Sequence, residues 1–277
     1  MRPYSRVYAT VNLDAVASNM KSMRENLPAS TLIMGSVKAD GYGHGSVPIA
    51  KTIEPYVFGY AVATIDEGII LRRHGINKTI LILGVTHESQ YEELLRYDIR
   101  TAMFQYEKAK KLSDLAVKQG KKAVVHLALD TGMSRIGMKA DREHAKEAAS
   151  IAALEGIEVE GLFTHFARAD ETDKSAYEEQ YRRYKEFLGY LEELGVQIPI
   201  RHCSNSAGIV ESLESNHMDM VRAGIAIYGM YPSDEVDHNS VKLTPAMEIK
   251  SCITYIKEIG AGTAVSYGGT FVADHTM

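Results

Sequence analysis

A lysine before a glycine-rich turn is the most chemically suggestive feature of this sequence. Lys38 directly follows the apolar, β-prone residues 31–37, and Gly41, Gly43 and Gly45 come shortly after it. Such an apolar run predicts a buried strand, and the glycines let the backbone turn sharply and approach a ligand. An amine at the end of a buried strand loses hydration, which favours its neutral, nucleophilic form. It can then attack a carbonyl group and form a Schiff base, although a surface lysine in a flexible loop would have the same sequence.

Further polar residues follow later predicted strands. They are Arg135 after the fifth strand, His165 at the end of the sixth, Asn205 and Ser206 after the seventh, and Arg222 at the end of the eighth. The Gly224 and Ile225 amides follow Arg222, and with Ser206 and Tyr42 they form a candidate phosphate site. Each side chain also has a structural interpretation: a surface arginine for Arg135, a core histidine for His165, helix caps for Asn205 and Ser206, and an ion pair for Arg222.

Strands and helices alternate through most of the chain, which predicts a parallel sheet. Counting from the strand before Lys38 gives eight strand units, each followed by a helix or a helical turn. The sequence therefore predicts an α/β fold, a closed (β/α)8 barrel of the TIM type over residues 1–240. Active sites of such barrels lie at the C-terminal ends of the strands, where the candidate residues fall. We expect Asp14 to cap the first helix, and Thr64 with Glu67 to form a capping box for a later one.

The pattern changes after Gly229. Residues 231–239 are polar and rich in turn formers, and we interpret them as a domain junction. Residues 241–277 form extended, β-rich sequence without a helix, which predicts the start of an incomplete second domain. A β domain of about 40 residues is too small to fold alone, so we expect the chain to end inside a domain. The leading strand, residues 7–13, is a candidate partner for this β segment.

Composition restricts the possible functions. The chain has 277 residues, 45% of them hydrophobic, and a net charge of −5 without a basic cluster, so we expect no nucleic-acid partner. No apolar run approaches the roughly 20 residues that span a bilayer, and the N-terminus does not resemble a signal peptide. Two cysteines, Cys203 and Cys252, are typical of a reduced, cytoplasmic protein. No zinc or nucleotide-triphosphate motif is present, and we expect no metal site.

Several motifs in the same order resemble those of the alanine racemase family. They are K-A-D-G-Y-G-H-G (38–45), D-T-G-M-S-R-I-G (130–137), T-H-F-A (164–167), H-C-S-N-S (202–206), R-A-G-I-A-I-Y-G (222–229) and V-S-Y-G (265–268). The resemblance covers nearly the whole chain. It implies an amino-acid racemase that uses pyridoxal 5'-phosphate (PLP) on a barrel, with alanine as the substrate. A serine or broad-specificity racemase, and a PLP-binding barrel without turnover, are the alternatives.

The resemblance also implies a role for each candidate residue. Lys38 would hold PLP covalently and act as one base, and Tyr267 would be the opposite base, supplied to the partner subunit of a homodimer. Arg135 would contact the substrate carboxylate and the cofactor oxygen, and His165 would lie near the cofactor ring. Tyr42, Ser206, Gly224 and Ile225 would hold the phosphate, with Asn205 nearby, and Arg222 would face the pyridine nitrogen.

This sequence departs from the family pattern at two places. Many members carry a carbamylated lysine that orients the arginine equivalent to Arg135, but Ala128 stands at that position here. Family members also continue beyond the end of this chain and complete the β domain. We therefore expect a C-terminally truncated racemase that binds PLP and racemises poorly.

Overall fold

A computed structural model describes residues 6–277. The chain separates into two compact units, one formed by residues 11–246 and the other by residues 6–10 with 247–277. We call the first the barrel unit and the second the β unit.

The helices and strands follow one another in this order: β1 (Val7–Val11), α1 (Leu13–Glu25), β2 (Leu32–Ser36), α2 (Lys38–Tyr42), α3 (Ser46–Ile53), β3 (Gly59–Val62), α4 (Ile65–Arg73), β4 (Thr79–Ile82), α5 (Tyr91–Tyr97), β5 (Arg100–Met103), α6 (Tyr106–Lys118), β6 (Ala123–Asp130), β7 (Met138–Lys139), α7 (Arg142–Ala152), β8 (Ile157–Phe163), α8 (Ser175–Glu193), β9 (Ile200–His202), α9 (Ser206–Val210), β10 (Met220–Ala223), β11 (Met247–Ser251), β12 (Ala264–Val265) and β13 (Phe271–Val272). Short 3-10 turns lie at Glu54–Tyr56, Glu88–Gln90, Glu214–His217, Ile225–Tyr228 and Tyr267–Gly269.

Among the described residues, eight parallel strands close into a barrel. They pair in the order β2, β3, β4, β5, β6, β8, β9 and β10, and β10 pairs with β2 again. The short strand β7 adds to the end of β6. The predicted (β/α)8 barrel is confirmed, and closure brings the C-terminal ends of all eight strands to one face.

The barrel strands alternate between two apolar layers. Ile33 of β2 and Tyr60 of β3 belong to the large core, which also contains the apolar faces of the helices. Their neighbours Met34 and Ala61 belong to a separate small cluster with Leu81 and Met220. Because side chains point to opposite faces along a strand, this alternation assigns the small cluster to the barrel interior and the large core to the layer under the helices.

The start of α1 differs from the prediction. Asn12, not Asp14, is the N-cap: its side-chain oxygen accepts hydrogen bonds from the backbone N–H groups of Asp14 and Ala15, at 3.0 and 3.1 Å. Asp14 instead lies inside the first turn, where its negative charge interacts favourably with the helix dipole. Sequence alone did not distinguish Asn12 from Asp14, two residues further on, because both residue types cap well.

The β unit contains two small sheets. Strand β1 pairs with β11, and β12 pairs antiparallel with β13. Residues 231–246, which include the turn-rich segment, belong to the barrel unit, where Tyr231 stacks on His238 with ring centroids 3.9 Å apart. Within residues 6–277, no helix combines the length and the apolar composition needed to cross a membrane.

Candidate active site

A cavity of about 520 Å³ lies at the C-terminal ends of the barrel strands. The predicted residues that line it are Lys38, Tyr42, Arg135, His165, Asn205, Ser206, Arg222, Gly224 and Ile225. Tyr267 belongs to the β unit, and its side chain is fully exposed. The barrel therefore brings together every predicted site residue except Tyr267.

Lys38 begins α2, which is a short turn of left-handed backbone and not a regular α-helix. The φ angles of Ala39, Asp40, Gly41 and Tyr42 are 51°, 51°, 63° and 53°. Non-glycine residues rarely adopt this conformation, and a run of them persists only where the surroundings hold it. The Lys38 ammonium nitrogen lies 5.4 Å from the centre of the Tyr42 ring. The turn thus places the amine and the phenol over the same cavity.

Glu67 of α4 holds this turn, which sequence reasoning missed. One of its carboxylate oxygens accepts a hydrogen bond from the Ala39 N–H at 2.8 Å, and the other accepts from the Ala63 N–H at 2.7 Å. The Glu67 N–H itself donates to the Thr64 hydroxyl at 3.4 Å, as a capping box requires. The carboxylate, however, does not return to the N-cap. It joins the Lys38 turn to the end of β3, which stabilises both against movement.

Two hydroxyl groups converge beside Gly224. The Ser206 hydroxyl accepts hydrogen bonds from the N–H groups of Gly224, at 2.9 Å, and Ala226, at 3.3 Å. A β-carbon at position 224 would lie 3.5 Å from the Ser206 oxygen and 3.6 Å from the Tyr42 oxygen. Tyr42 packs on Tyr228, with ring centroids 5.0 Å apart. Hydroxyls and amides at one corner of the cavity suit an anionic group such as a phosphate.

Asn205 caps α9, as its structural interpretation predicts. Its side-chain oxygen accepts from the Gly208 N–H at 3.1 Å, and its amide nitrogen donates to the Phe166 carbonyl at 3.3 Å. The residue also lines the cavity. One side chain thus starts the helix and joins the loops that follow β8 and β9.

Arg135 is exposed and reaches the cavity from the loop after β6. Asp130 shapes this loop, because its carboxylate accepts hydrogen bonds from the N–H groups of Gly132 and Ser134, both at 3.0 Å. Gln180 of α8 is a second residue that sequence reasoning missed. It donates to the Thr131 hydroxyl at 3.2 Å and to the His165 carbonyl at 3.1 Å, which ties the two site loops to α8.

Arg222 is buried, with 4% of its surface exposed. One terminal nitrogen donates to the His202 ring and carbonyl, and the other donates to the carbonyls of Thr164 and Cys203. The second nitrogen also lies 3.3 Å from His165 Nδ1. Within residues 6–277, no carboxylate forms an ion pair with this guanidinium, so the ion-pair interpretation of Arg222 is wrong.

His165 is neutral at physiological pH. Burial lowers its pKa to about 3, and the positive charges of Arg222, Arg135 and Lys38 act in the same direction. Two guanidinium groups and a neutral imidazole therefore line one cavity, which suits a ligand that carries negative charge. Among the described residues, no group of three or more His, Cys, Asp or Glu side chains is placed to hold a metal ion.

The buried histidines predict how stability depends on pH. Burial lowers the pKa of His126, His165 and His202 below the usual 6.5. Below pH 6.5 the unfolded chain binds protons that the folded barrel does not, so their contribution to stability is complete above that pH and is lost as the pH falls. At pH 5.5, one unit below the ordinary pKa, His165 with its pKa of about 3 costs about 1.4 kcal/mol of folding stability, and His126 and His202 act in the same direction.

Urea unfolding between about pH 7.5 and 5.5 measures how the free energy of unfolding changes with pH. Most carboxylates titrate at lower pH and contribute little in this range. We expect His126→Gln to make this pH dependence shallower, because it removes one buried, neutral imidazole. His217 is exposed and provides the control, since His217→Gln should leave the slope unchanged. An unfolding free energy that is constant over this range would contradict the burial of neutral imidazoles.

Comparison with known proteins identifies the family of this chain. A family model described as alanine racemase, N-terminal domain, matches residues 11–232. An alanine racemase of Desulforamulus reducens is 43% identical over 266 residues, which are 96% of this chain and 72% of that protein. One from Clostridium perfringens is 44% identical over 266 residues, with coverage of 96% and 68%.

Solved structures give the same result. The alanine racemase of Clostridium difficile has a TM-score of 0.92 at 39% identity, and the match covers 99% of this chain and 72% of that one. The enzyme from Bacillus anthracis, determined with bound L-Ala-P, has a TM-score of 0.89 at 32% identity, with coverage of 99% and 71%. These relatives are longer than the present chain. The family model, the sequence identities and the fold agree, and the chain belongs to the alanine racemase family.

Proposed function

We propose that this protein interconverts L- and D-alanine with PLP held covalently by Lys38. One observation carries the proposal: the barrel places Lys38, a hydroxyl-lined corner and the buried Arg222 around a single cavity, at the strand ends where barrels perform chemistry. Membership of the alanine racemase family supports the reaction and the substrate.

The residues present fit PLP at three places. The amine of Lys38 suits the aldehyde. The hydroxyls of Tyr42 and Ser206, which meet at Gly224, suit the phosphate, together with the Ile225 amide. The Arg222 guanidinium suits the ring nitrogen, because it donates hydrogen bonds and does not readily give up a proton. When bound, PLP supplies an electron sink that makes the α-hydrogen of an amino acid acidic.

Racemisation requires a proton to leave one face of the α-carbon and another to arrive at the opposite face, so two bases must flank it. We assign Lys38 to one face. Tyr267, in the motif V-S-Y-G, is assigned to the other, supplied to the site of a second copy in a homodimer. Its full exposure leaves the phenol available to such a copy. Arg135, exposed at the cavity, is the candidate that holds the substrate carboxylate.

Arg222 is assigned the control of reaction specificity. A guanidinium against the ring nitrogen would keep that nitrogen unprotonated, because Arg222 does not readily give up a proton. Arg222 would thereby favour return of the proton to the α-carbon. His165 is neutral, so the positive charge at this end of the cavity is carried by Arg222 and Arg135.

We also propose a cytoplasmic location, supported by a composition with only two cysteines.

Formation of D-alanine tests the proposed function. With PLP and L-alanine, circular dichroism should show loss of the L-enantiomer signal without a change in total alanine. The same assay with L-serine separates an alanine racemase from a serine or broad-specificity enzyme by the ratio of kcat/KM values. We expect slow turnover of alanine, in keeping with the sequence-based expectation of a protein that racemises poorly. A protein that binds PLP but changes neither amino acid, even on long incubation, would support the alternative of a carrier barrel without turnover.

Replacing Tyr267 with phenylalanine tests the second base. We expect racemisation to fall by a factor of about 10² to 10⁴, the usual contribution of a general acid–base group, while PLP absorbance is unchanged. Tyr255→Phe is the matched control, because Tyr255 is also an exposed tyrosine of the β unit and should behave as the parent protein. Full activity of the Tyr267→Phe protein would show that another group supplies the second proton.

A further inference from the structure

A line of buried polar side chains continues from Arg222 through the barrel. His202 Nδ1 lies 2.9 Å from an Arg222 nitrogen, and His202 Nε2 lies 2.8 Å from His126 Nδ1. His126 Nε2 lies 2.9 Å from a carboxylate oxygen of Glu160, and that oxygen lies 3.5 Å from Arg100 Nε. Both imidazoles are completely buried. The line ends at Arg100, the first residue of β5, and so runs from the cavity toward the N-terminal end of the strands.

The groups at the two ends of this line determine which partner donates and which accepts in each hydrogen bond between them. A guanidinium only donates hydrogen bonds, so His202 Nδ1 must accept and its single proton is on Nε2. His126 Nδ1 then accepts from His202, and the proton of His126 is on Nε2. That proton points at the Glu160 carboxylate, which only accepts. One arrangement of protons therefore satisfies all three hydrogen bonds, and it requires both histidines to be neutral.

Electrostatics agrees with neutral imidazoles. Burial lowers the pKa of His202, and the charge of Arg222 lowers it further. Burial also lowers the pKa of His126, although Glu160 opposes this effect, while Arg100 and Arg222 reinforce it. Burial would raise the pKa of Glu160, but the hydrogen bond from His126 and the charge of Arg100 outweigh it. The carboxylate is thus ionised while both rings are uncharged.

The backbone is adapted to this line at two points. The register between β6 and β8 shifts after Val125, which leaves Glu160 as the extra residue of a bulge. Bulges commonly redirect a side chain, and this one lets Glu160 reach the His126 ring. At the neighbouring position, a β-carbon on Gly161 would lie 2.5 Å from His126 Nδ1. Glycine is therefore required at position 161 for the ring to occupy its place.

We propose that His202, His126 and Glu160 form a directed hydrogen-bond chain that holds the Arg222 guanidinium in place and compensates its charge. Arg222 is a buried cation without a carboxylate partner among the described residues, a situation that is unfavourable without compensation. The chain connects it to the ionised Glu160 through two polarised rings, and each hydrogen bond strengthens the next. His202, His126 and Glu160 act through Arg222 and are positioning residues. Their effect on a cofactor rests on the proposed function.

Nuclear magnetic resonance of the histidine rings tests the hydrogen-bond chain, measured on residues 1–277 without cofactor. With ¹⁵N-labelled histidine, and assignment by single substitution of His126 and His202, we expect both rings to carry their proton on Nε2. We also expect neither to titrate between about pH 5.5 and 8. A proton on Nδ1 of either ring, or titration of either ring in this range, would overturn the proposal, because the direction of the chain would then be wrong.

Glu160→Gln tests the compensation, because the amide oxygen can still accept from His126 but carries no charge. We expect the His126 Nε2–H resonance to move upfield, since a neutral acceptor forms a weaker hydrogen bond. We also expect PLP to bind about tenfold more weakly. Glu158→Gln is the matched control, an exposed glutamate of the same strand that should change neither quantity. Unchanged His126 resonances together with unchanged PLP affinity would overturn the proposal.

The two experiments also separate this inference from the proposed function. If the parent protein bound no PLP, the proposed function would fail, whereas the ring tautomers would still decide the chain. If Glu160→Gln did not fold, the ring tautomers of the parent protein would still test the hydrogen-bond chain. Two core histidines outside such a chain have no reason to carry their protons on the same ring nitrogen.

Discussion

Replacing Lys38 with alanine is expected to abolish covalent binding of PLP and to lower racemisation by on the order of 10³-fold or more, about 4 kcal/mol of transition-state stabilisation. Lys38 supplies both the amine that holds the cofactor and one of the two proposed bases. The fold should persist, since Lys38 is half-buried. Two hydrogen bonds that do not involve Lys38 hold the left-handed turn. The Ala39 N–H donates to the Glu67 carboxylate, and the Ser46 N–H donates to the Asp40 carboxylate.

Three measurements check this prediction. The parent protein with PLP should show the visible absorption band of a protein-bound cofactor, and borohydride followed by mass spectrometry should locate the modification on Lys38. The Lys38→Ala protein should show neither. Lys51→Ala, an exposed lysine in the last turn of α3, is the control and should retain both. A Lys38→Ala protein that keeps the band and the modification would refute the assignment.

Replacing Arg222 with glutamate is expected to change the outcome of the reaction as well as its rate. The carboxyl group would face the carbonyls of Thr164 and Cys203 in a buried site, which favours its protonated form. An acid at this position can share its proton with the ring nitrogen, so that the cofactor withdraws electrons more strongly. We expect racemisation to fall on the order of 100-fold, about 2.7 kcal/mol, and transamination to rise.

The Arg222→Glu experiment needs saturating PLP, because the substitution also removes several hydrogen bonds and costs about 3 kcal/mol of folding stability. Arg222→Lys separates charge from shape: it keeps a cation but loses the fork of donors, so it should be destabilised without a gain in transamination. The measured quantity is the ratio of D-alanine to keto acid formed. An unchanged ratio in Arg222→Glu would mean that Arg222 has a structural role only.

These two predictions depend on the same electrostatic arrangement. Lys38, Arg135 and Arg222 all lower the pKa of His165. An anionic cofactor would complement these cations, whereas a cationic His165 would oppose them. The structure therefore places a neutral His165 ring between Arg135 and Arg222, which carry the positive charge.

The sequence determined the order of the elements and the residues at the strand ends. Periodicity and turn residues predicted a barrel, because eight alternating units close in only a few ways, and closure necessarily collects the strand ends. The placement of Lys38 and Arg222 at one cavity followed from that rule. The exact start of a helix was less certain. Asn12 and not Asp14 caps α1, because two nearby residues of similar capping ability differ only in the position at which the helix begins.

The tertiary structure alone decided which distant side chains meet. Nothing in the spacing of Glu67 connects it with Ala39, and nothing in the spacing of Glu160 connects it with His126. Ala39 and Glu67 meet because the elements that follow the paired strands β2 and β3 lie side by side. Glu160 reaches His126 because β8 carries a single extra residue beside β6. The charge of His165 and the tautomers of His126 and His202 were also beyond sequence, because burial and the surrounding donors set a protonation state. Sequence specifies which groups are available, and three-dimensional packing specifies which of them are charged and which are paired.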